Sequence, residues 1–367
     1  MTNKNNVFAV ILAGGGGTRL WPKSRNKTPK QFLKLVEQRT MMQVAADRVA
    51  KIVDWNNIIV VTNKLYYQEV VDQLPQVREG NIIAEPEKRD TALAMLVGAL
   101  FAKSQDPQAV VINAASDHTV TNEREFIRVM NAAVKTAAEN DFLVTVGITP
   151  TFATSALGYI KISEDLKKLD HGLSLFKVKS FTEKPNIATA RAFIATGKYF
   201  WNANMYVWSA KSIKEAFKKH MPQMYKLTAK LDSLSAKAFH DALPAVYKSA
   251  ESISIDYAVS EKADNLVLIP GDFGWSDVGD WKVVYDLGVK DGADNVVTGE
   301  ADEQKVLTLD SRRNLIHTNN SLVAIVGLED MIVVDTGEIL MICPKNRSQD
   351  VKNLVEKLKK ENRKEYL

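Results

Sequence analysis

The chain has 367 residues, enough for one large α/β domain, a smaller one and a sizeable core, and its 46% hydrophobic and 25% charged content excludes collagen-like, disordered and disulfide-scaffold classes. A single cysteine, Cys343, cannot form an intramolecular bridge and fits a reducing compartment. The 48 Lys and Arg against 44 Asp and Glu leave a dispersed net charge of +4, which calls for no nucleic acid; the first apolar run breaks at glycines too early for a signal peptide or a membrane span, so a cytoplasmic protein is expected.

Short β-branched runs alternate with helical patterns from the N-terminus onward: VFAVIL at 7–12, IIVVT at 58–62, NIIAE at 81–85, AVVIN at 109–113 and FLVTVG at 142–147. Within 122–139, Phe126, Val129, Met130, Ala133, Val134 and Ala137 recur at helical spacing, giving one face to pack on a sheet. Strand-length runs that are apolar throughout need cover on both faces, so the pattern predicts a doubly wound, mostly parallel α/β sheet of Rossmann-like type. Beyond about residue 150 come longer loops, the strands LFKVKSFTE, NMYVW and NLVLIP, and a helix over 209–221 capped by Ser209. Beyond about residue 290 short strands follow one another, with turn signals at Asn319-Asn320 and Thr336-Gly337, and predict a small all-β domain. A helix from about Ser348 closes the chain, its stripe Val351, Leu354, Val355 and Leu358 packing back on the body. The division read from this is 1–288 and 289–367.

The most informative stretch is VILAGGGGTRLWPKSRNKTPKQF at 10–32. A buried strand runs into four glycines and Thr-Arg, and Pro22 and Pro29 keep the following segment from forming a long helix. Glycines bring backbone N–H groups close to phosphate oxygens, Arg19 adds a bidentate charged fork, and Lys23, Arg25, Lys27 and Lys30 extend the positive charge. No Gly-Lys-Ser/Thr follows, so this is no Walker A loop, and Leu20 stands where a dinucleotide fingerprint needs glycine.

The form G-G-x-G-T-R-L-x-P…P-K resembles the signature of sugar-nucleotide pyrophosphorylases, and LWPKSRNKTPKQF looks like their mannose-1-phosphate guanylyltransferase branch. EPEKRDTA at 85–92, SDH at 116–118, GYI at 158–160, FTEKP at 181–185, WNANMYVW at 201–208, SIDYAVSEK at 254–262 and GWSDVGDW at 274–281 follow in family order. AIVGLEDMIVVDT is also similar to that branch, whose small C-terminal domain is left-handed β-helix-like. The resemblance implies a nucleotidyltransferase catalytic domain over 1–288 and that small domain over 289–367, with no sugar-isomerase domain expected after it. It implies transfer of GMP from GTP to mannose 1-phosphate, giving GDP-mannose and pyrophosphate.

Carried over residue by residue, the resemblance implies that Ala13, Gly14, Gly15, Gly17 and Thr18 cradle the nucleotide, with Arg19 on the leaving pyrophosphate and Lys30 near the α-phosphate. Lys184 would bind the phosphate of the sugar, while Gly158, Glu183 and Asn202 would face its hydroxyls. Glu85 and Arg89 are the base candidates, a carboxylate acceptor suiting the N1–H and N2–H₂ donors of guanine. Asp117, after the strand AVVIN at the ligand-binding end of the sheet, and the distant Asp277 would hold Mg²⁺ together with substrate phosphates. His118 is expected to be structural, since a sugar phosphate is already an anionic nucleophile, and Trp201 and Trp208 read as core. Asp90, Leu157 and Asn204 depart from the branch's pattern beside the base and sugar candidates and bear on specificity. The implied partners are GTP and mannose 1-phosphate, with no nucleic acid, no membrane and a homodimer as the assembly. Two other readings stay open: the same chemistry on another nucleotide or sugar 1-phosphate, and a non-catalytic regulatory homologue.

Overall fold

Val7–Ala13, apolar throughout, form the first strand of a nine-stranded sheet. The computed structural model describes residues 6–15, 18–299, 305–319 and 321–367, so Gly17 of the glycine run and Asn320 of the Asn-Asn turn lie outside the described residues. The chain divides into two compact units, one made of Met1–Gly14, Ala45–Ser116 and Val120–Trp275, the other of Gly15–Val44, Asp117–Thr119 and Ser276–Leu367.

The first unit holds the strands β1 (Val7–Ala13), β2 (Ile58–Asn63), β3 (Ile82–Glu85), β4 (Val110–Ala115), β5 (Leu143–Ile148), β6 (Tyr159–Lys168), β7 (Ser174–Thr182), β8 (Tyr199–Ser209) and β9 (Leu266–Gly271). Their order across the sheet is β3-β2-β1-β4-β8-β5-β9-β7-β6. β1 to β4 are mutually parallel, as are β5 and β9, while β8 and β7 run against their neighbours, which gives the mostly parallel sheet expected. Register pairs Leu12 with Ala115, Ala13 with Thr62 and Asn63 with Glu85, so the carboxyl ends of β1, β2, β3 and β4 lie side by side.

Helices cover this sheet. Asp90–Gln105 is buried continuously from Ala92 to Ala102, as befits a helix apolar on every side. Gly98 lets it approach β1, because a Cβ there would meet Val10 Cγ1 at 2.6 Å. In Glu123–Glu139, Phe126, Val129, Met130, Ala133, Val134 and Ala137 are all buried as their spacing predicts. Ser209 caps Ala210–His220, its Oγ accepting from the Ser212 amide at 3.0 Å.

In the second unit, β10 (Val296–Thr298), β12 (Leu315–Thr318), β14 (Met331–Asp335) and β15 (Leu340–Pro344) form one sheet in that order, and β11 (Val306–Leu309) pairs with β13 (Val323–Val326). β10, β12 and β14 are parallel and stack Val296, Leu315 and Ile332 as buried rungs of a β-helix-like domain. At its corner Asn314 donates to Asn295 Oδ1 through both its amides and accepts from the Met331 amide at 2.9 Å. The rungs belong to one apolar cluster with Leu20, Trp21, Leu33, Leu35, Val278 and Trp281.

The closing helix corrects the expectation in two respects. Ser348 lies in a 3₁₀ segment, Lys345–Asp350, and the α-helix runs Val351–Lys360. Val351, Val355 and Leu358 are buried, but Leu354 is 41% exposed, because a three-turn helix contacts its support along the narrow line i, i+4, i+7. In urea unfolding, Leu358→Ala should cost about 2 kcal/mol or more and Leu354→Lys less than about 0.5 kcal/mol; equal losses would contradict this orientation.

Candidate active site

In the second unit the Pro-Lys segment sets the geometry. Pro29, at φ −61°, enters a 3₁₀ turn over Lys30–Phe32. The buried side chains of Phe32, Leu33 and Leu35 anchor that turn. The ammonium of Lys30 donates to the backbone carbonyl of Asp277 at 2.7 Å and meets Asp117 Oδ2 at 3.0 Å. Three parts of the chain, around residues 30, 117 and 277, thus share one positive centre. Burial works to raise the pKa of Asp117, but the charge of Lys30, helped by His118 and by hydrogen bonds, outweighs it and holds the carboxyl below its ordinary range. His118 is buried with Nε2 3.8 Å from Asp117 Oδ1.

Gly15 faces this centre: a Cβ there would lie 3.9 Å from Asp117 Oδ2, and its carbonyl accepts from Gln31 Nε2 at 3.0 Å. On the other side Val278 has φ +43° and is fully buried, a conformation that β-branched residues rarely adopt and that costs about 1–3 kcal/mol. The fold bears this strain directly after Asp277. Asp280 caps the helix Trp281–Leu287 through the amides of Lys282 and Val283, and the Trp281 indole donates to the Trp21 carbonyl at 2.9 Å. Arg19 sits in the 3₁₀ turn Thr18–Leu20 with Nη1 3.3 Å from Gln349 Oε1, and Gln349 in turn donates to Asp280. Arg19 therefore leans on the C-terminal segment, and Thr18 is exposed.

A second group lies in the first unit. Ala13 ends β1, its carbonyl accepting from Thr62 Oγ1 at 3.0 Å, and a Cβ on Gly14 would come within 3.2 Å of Glu85 Oε2. The other Glu85 oxygen accepts from Tyr247 Oη at 3.0 Å. Burial lifts the Glu85 pKa to about 7, against the opposing pulls of Tyr247 and Lys88. Arg89 is a clamp on the helix Ala236–Ser249: Nε donates to the Tyr247 carbonyl at 2.6 Å and Nη2 to the Lys248 carbonyl at 3.3 Å, while Nη2 also pairs with Glu87. Arg89 thereby fixes the residue that holds Glu85. Asp90 is exposed at φ +62°, its carboxylate accepting from the Thr91 amide.

The third group, also in the first unit, gathers the sugar candidates. A Cβ on Gly158 would strike Glu183 Oε2 at 2.7 Å, and the Gly158 carbonyl accepts from the Asn202 amide at 2.9 Å. Lys184, at φ +44°, pairs with Glu183 and keeps its side chain largely exposed. Asn202 is buried, its Nδ2 donating to Asp256 Oδ1 at 3.0 Å, and Tyr206 Oη donates to the same oxygen at 2.8 Å. Burial raises the pKa of Asp256 and the charge of Glu183 adds to it, whereas Tyr206 and Asn202 pull it down. Trp201 and Trp208 are core residues.

Sequence reasoning assigned no role to Gln31, Tyr247 or Asp256. Asp256 sat inside a recognised motif and is the one a search for buried carboxylates would have found; Tyr247 carries no local signal.

Known proteins bear on this arrangement. The family model "Nucleotidyl transferase" matches residues 8–293, and "MannoseP isomerase/GMP-like beta-helix domain" matches 304–358. The chain belongs to the nucleotidyl transferase family. Among curated members, mannose-1-phosphate guanylyltransferase 2 of Escherichia coli O157:H7 is 34% identical over 98% of this chain and 75% of its own length. The alginate biosynthesis protein AlgA of Pseudomonas aeruginosa is 36% identical over 98% of this chain and 73% of its own. A crystal structure described as mannose-1-phosphate geranyltransferase from Thermus thermophilus superposes with a TM-score of 0.84 at 28% identity, covering 96% of this chain and 99% of that one.

In this family member no group of three or more His, Cys, Asp or Glu side chains is gathered for a metal among the described residues. Nor is any described helix long and apolar enough to cross a membrane.

The raised pKa of Glu85 has a consequence for stability. A carboxyl whose folded pKa lies above its unfolded value contributes stability that is fully present below the unfolded pKa of 4.5 and is lost as pH rises through about 7. Glu85→Gln should therefore raise the melting temperature at pH 8 by several degrees, through about 2 kcal/mol, and leave it nearly unchanged at pH 4.5. An equal gain at both pH values would show that burying the charge is not what costs stability.

Proposed function

We propose that this chain transfers GMP from GTP to mannose 1-phosphate, releasing pyrophosphate and forming GDP-mannose, with Mg²⁺ as its metal and the cytoplasm as its location. The observation that supports the reading is the Lys30 ammonium meeting the Asp117 carboxylate and the backbone carbonyl of Asp277, so that the two segments carrying the implied metal-binding residues approach one cation. The relatives named for this activity, 33–36% identical over nearly the whole chain, supply the substrate pair. The lone cysteine fits a reducing compartment.

The donor set suits a hard divalent cation. Asp117 and Asp277 would hold such an ion through their carboxylates, leaving the remaining positions of its shell to substrate phosphate and water. When bound, such an ion draws negative charge from the phosphate oxygens. The residues of the chain do the rest by positioning and neutralisation. Gly14 and Gly15, lacking side chains, leave room for the triphosphate at the end of β1; Lys30 turns toward the α-phosphate, and Arg19 takes the departing pyrophosphate. Glu85 accepts from the guanine edge in its ionised form. Lys184 holds the phosphate of mannose 1-phosphate, and Gly158, Glu183 and Asn202 shape its sugar pocket. An oxygen of that phosphate forms a bond to the α-phosphorus as the bond to the bridging oxygen breaks, and pyrophosphate leaves with the electron pair. No proton has to be removed from the nucleophile, which leaves His118 without a catalytic task.

Pyrophosphate release from a panel of nucleoside triphosphates and sugar 1-phosphates tests the reading. GTP with mannose 1-phosphate should give the highest kcat/KM, EDTA should abolish it, and Asp277→Ala and Arg19→Ala should each lower kcat by about 100-fold without loss of fold. Release with a different pair, such as a manno-heptose 1-phosphate, would move the substrate assignment, and no release with any pair would favour a non-catalytic homologue. Lys30 gives a separate test, because its ammonium and a divalent ion compete for Asp117. Lys30→Met should tighten Mn²⁺ binding to the nucleotide-free protein several-fold by electron paramagnetic resonance; unchanged affinity would place the ion elsewhere.

A further inference from the structure

Strand β8 carries a bulge. Asn202 pairs with Gly147 and Tyr206 with Thr145, so the single residue Val146 of β5 is opposed by three of β8: Ala203, Asn204 and Met205. Bulges re-aim side chains and recur beside active sites. Ala203 and Met205 are buried and lock the irregularity, while Asn204 is extruded and exposed at φ +51°. Asparagine is among the few side chains that accept this left-handed conformation readily.

The orientation of the Asn204 amide follows from its neighbours. The Asp256 carboxylate needs a donor from Asn202, which fixes Asn202 Nδ2 toward it at 3.0 Å. The same Nδ2 donates to Asn204 Oδ1 at 3.1 Å, and Asn202 Oδ1 accepts from the Asn204 backbone amide at 3.1 Å. Asn202 is thereby consumed by its own surroundings. Asn204 keeps its Nδ2 group directed away from this network, and that group meets no acceptor among the described residues. Asn202 is also joined to the Gly158 carbonyl, and Gly158 lies against Glu183. A held donor, open to solvent, thus stands two residues along the strand from the group that bears the acceptor Glu183.

We propose that Asn204 is a specificity-determining residue of the sugar subsite, its Nδ2 donating to a hydroxyl oxygen of the hexose 1-phosphate, with Asn202 and Asp256 acting as positioning residues behind it. A hydroxyl both donates and accepts, so a donor on Asn204 and a carboxylate on Glu183 together read its direction from the ring and hence the epimer. This assignment rests on the sugar-phosphate reading of the site.

Asn204→Gly keeps the left-handed backbone and removes the amide; Asn204→Asp tolerates the same backbone and replaces the donor with an acceptor. Binding of mannose 1-phosphate and of its gluco epimer to the full-length protein is followed by calorimetry, alongside KM for each substrate in pyrophosphate release. Asn204→Gly should weaken mannose 1-phosphate by about 2- to 10-fold, the loss of one neutral hydrogen bond, and reduce the preference over the epimer, with KM for GTP unchanged. Asn204→Asp should weaken it further, since it sets a second carboxylate near Glu183. Wild-type affinity and epimer preference in Asn204→Gly, with the unaltered protein active, would overturn the assignment of Asn204 alone. An equal rise in KM for both substrates would mean that the bulge is only structural and would overturn it too. If the unaltered protein neither binds nor turns over a sugar 1-phosphate, the functional reading itself falls.

Discussion

One ammonium group ties together three distant segments of the second unit. Lys30 brings a full positive charge to a place where a carboxylate, Asp117, and a peptide carbonyl, that of Asp277, converge from distant parts of the chain. A partly buried carboxylate without that partner would tend to neutralise; with it, Asp117 stays ionised. The surrounding features serve this contact. Pro29 fixes the approach of Lys30, the buried side chains after it prevent the turn from drifting, and the strained backbone at Val278 follows directly on the carbonyl that Lys30 holds. Strain of this kind persists only where packing over-determines it, and Val278 lies in the apolar cluster that also holds Trp21 and Trp281.

Glu85 obeys the opposite electrostatic logic. Its cation, Lys88, pulls less than burial pushes; a phenol, Tyr247, donates to one oxygen, and burial dominates. A carboxyl poised near neutrality is a poor contributor to stability, and on the proposed function a base that donates to it would repay the desolvation already incurred. Arg89, drawn to the last carbonyls of the helix carrying Tyr247, holds the residue that donates to Glu85.

Most of the architecture was legible because its signals are local. Apolar runs of strand length and the periodic face of Glu123–Glu139 are dictated by burial on a sheet, and the Ser209 cap by an orphan amide. The segments carrying Gly15, Lys30, Asp117 and Asp277 stood out through motif resemblance, and the structure groups these residues within one unit. What escaped is what depends on tertiary context. Leu354 has the right residue type and nearly the right phase, yet a short helix exposes it. Arg89 has the chemistry of a ligand group, but two helix-end carbonyls lie within its reach and engage its Nε and Nη2. Tyr247 and Asp256 act through side chains contributed from far along the chain, and no spacing rule links residue 85 to 247 or 202 to 256. Asn204 was visible as a departure from the family pattern; the bulge that turns it outward was not.

The apolar cluster of the second unit joins Leu20, Trp21, Leu33 and Leu35 of the loop segment to the β-helix rungs and to the closing helix, and the Trp21 indole donates to the Tyr366 carbonyl at 2.7 Å, one residue from the C-terminus. The small terminal domain is therefore no detachable appendage. Trimming it would strip the floor from beneath the segment that presents Lys30, and a chimera that swaps it between relatives has to carry residues 15–44 and 117–119 along with 276–367 if the graft is to keep its working parts aligned.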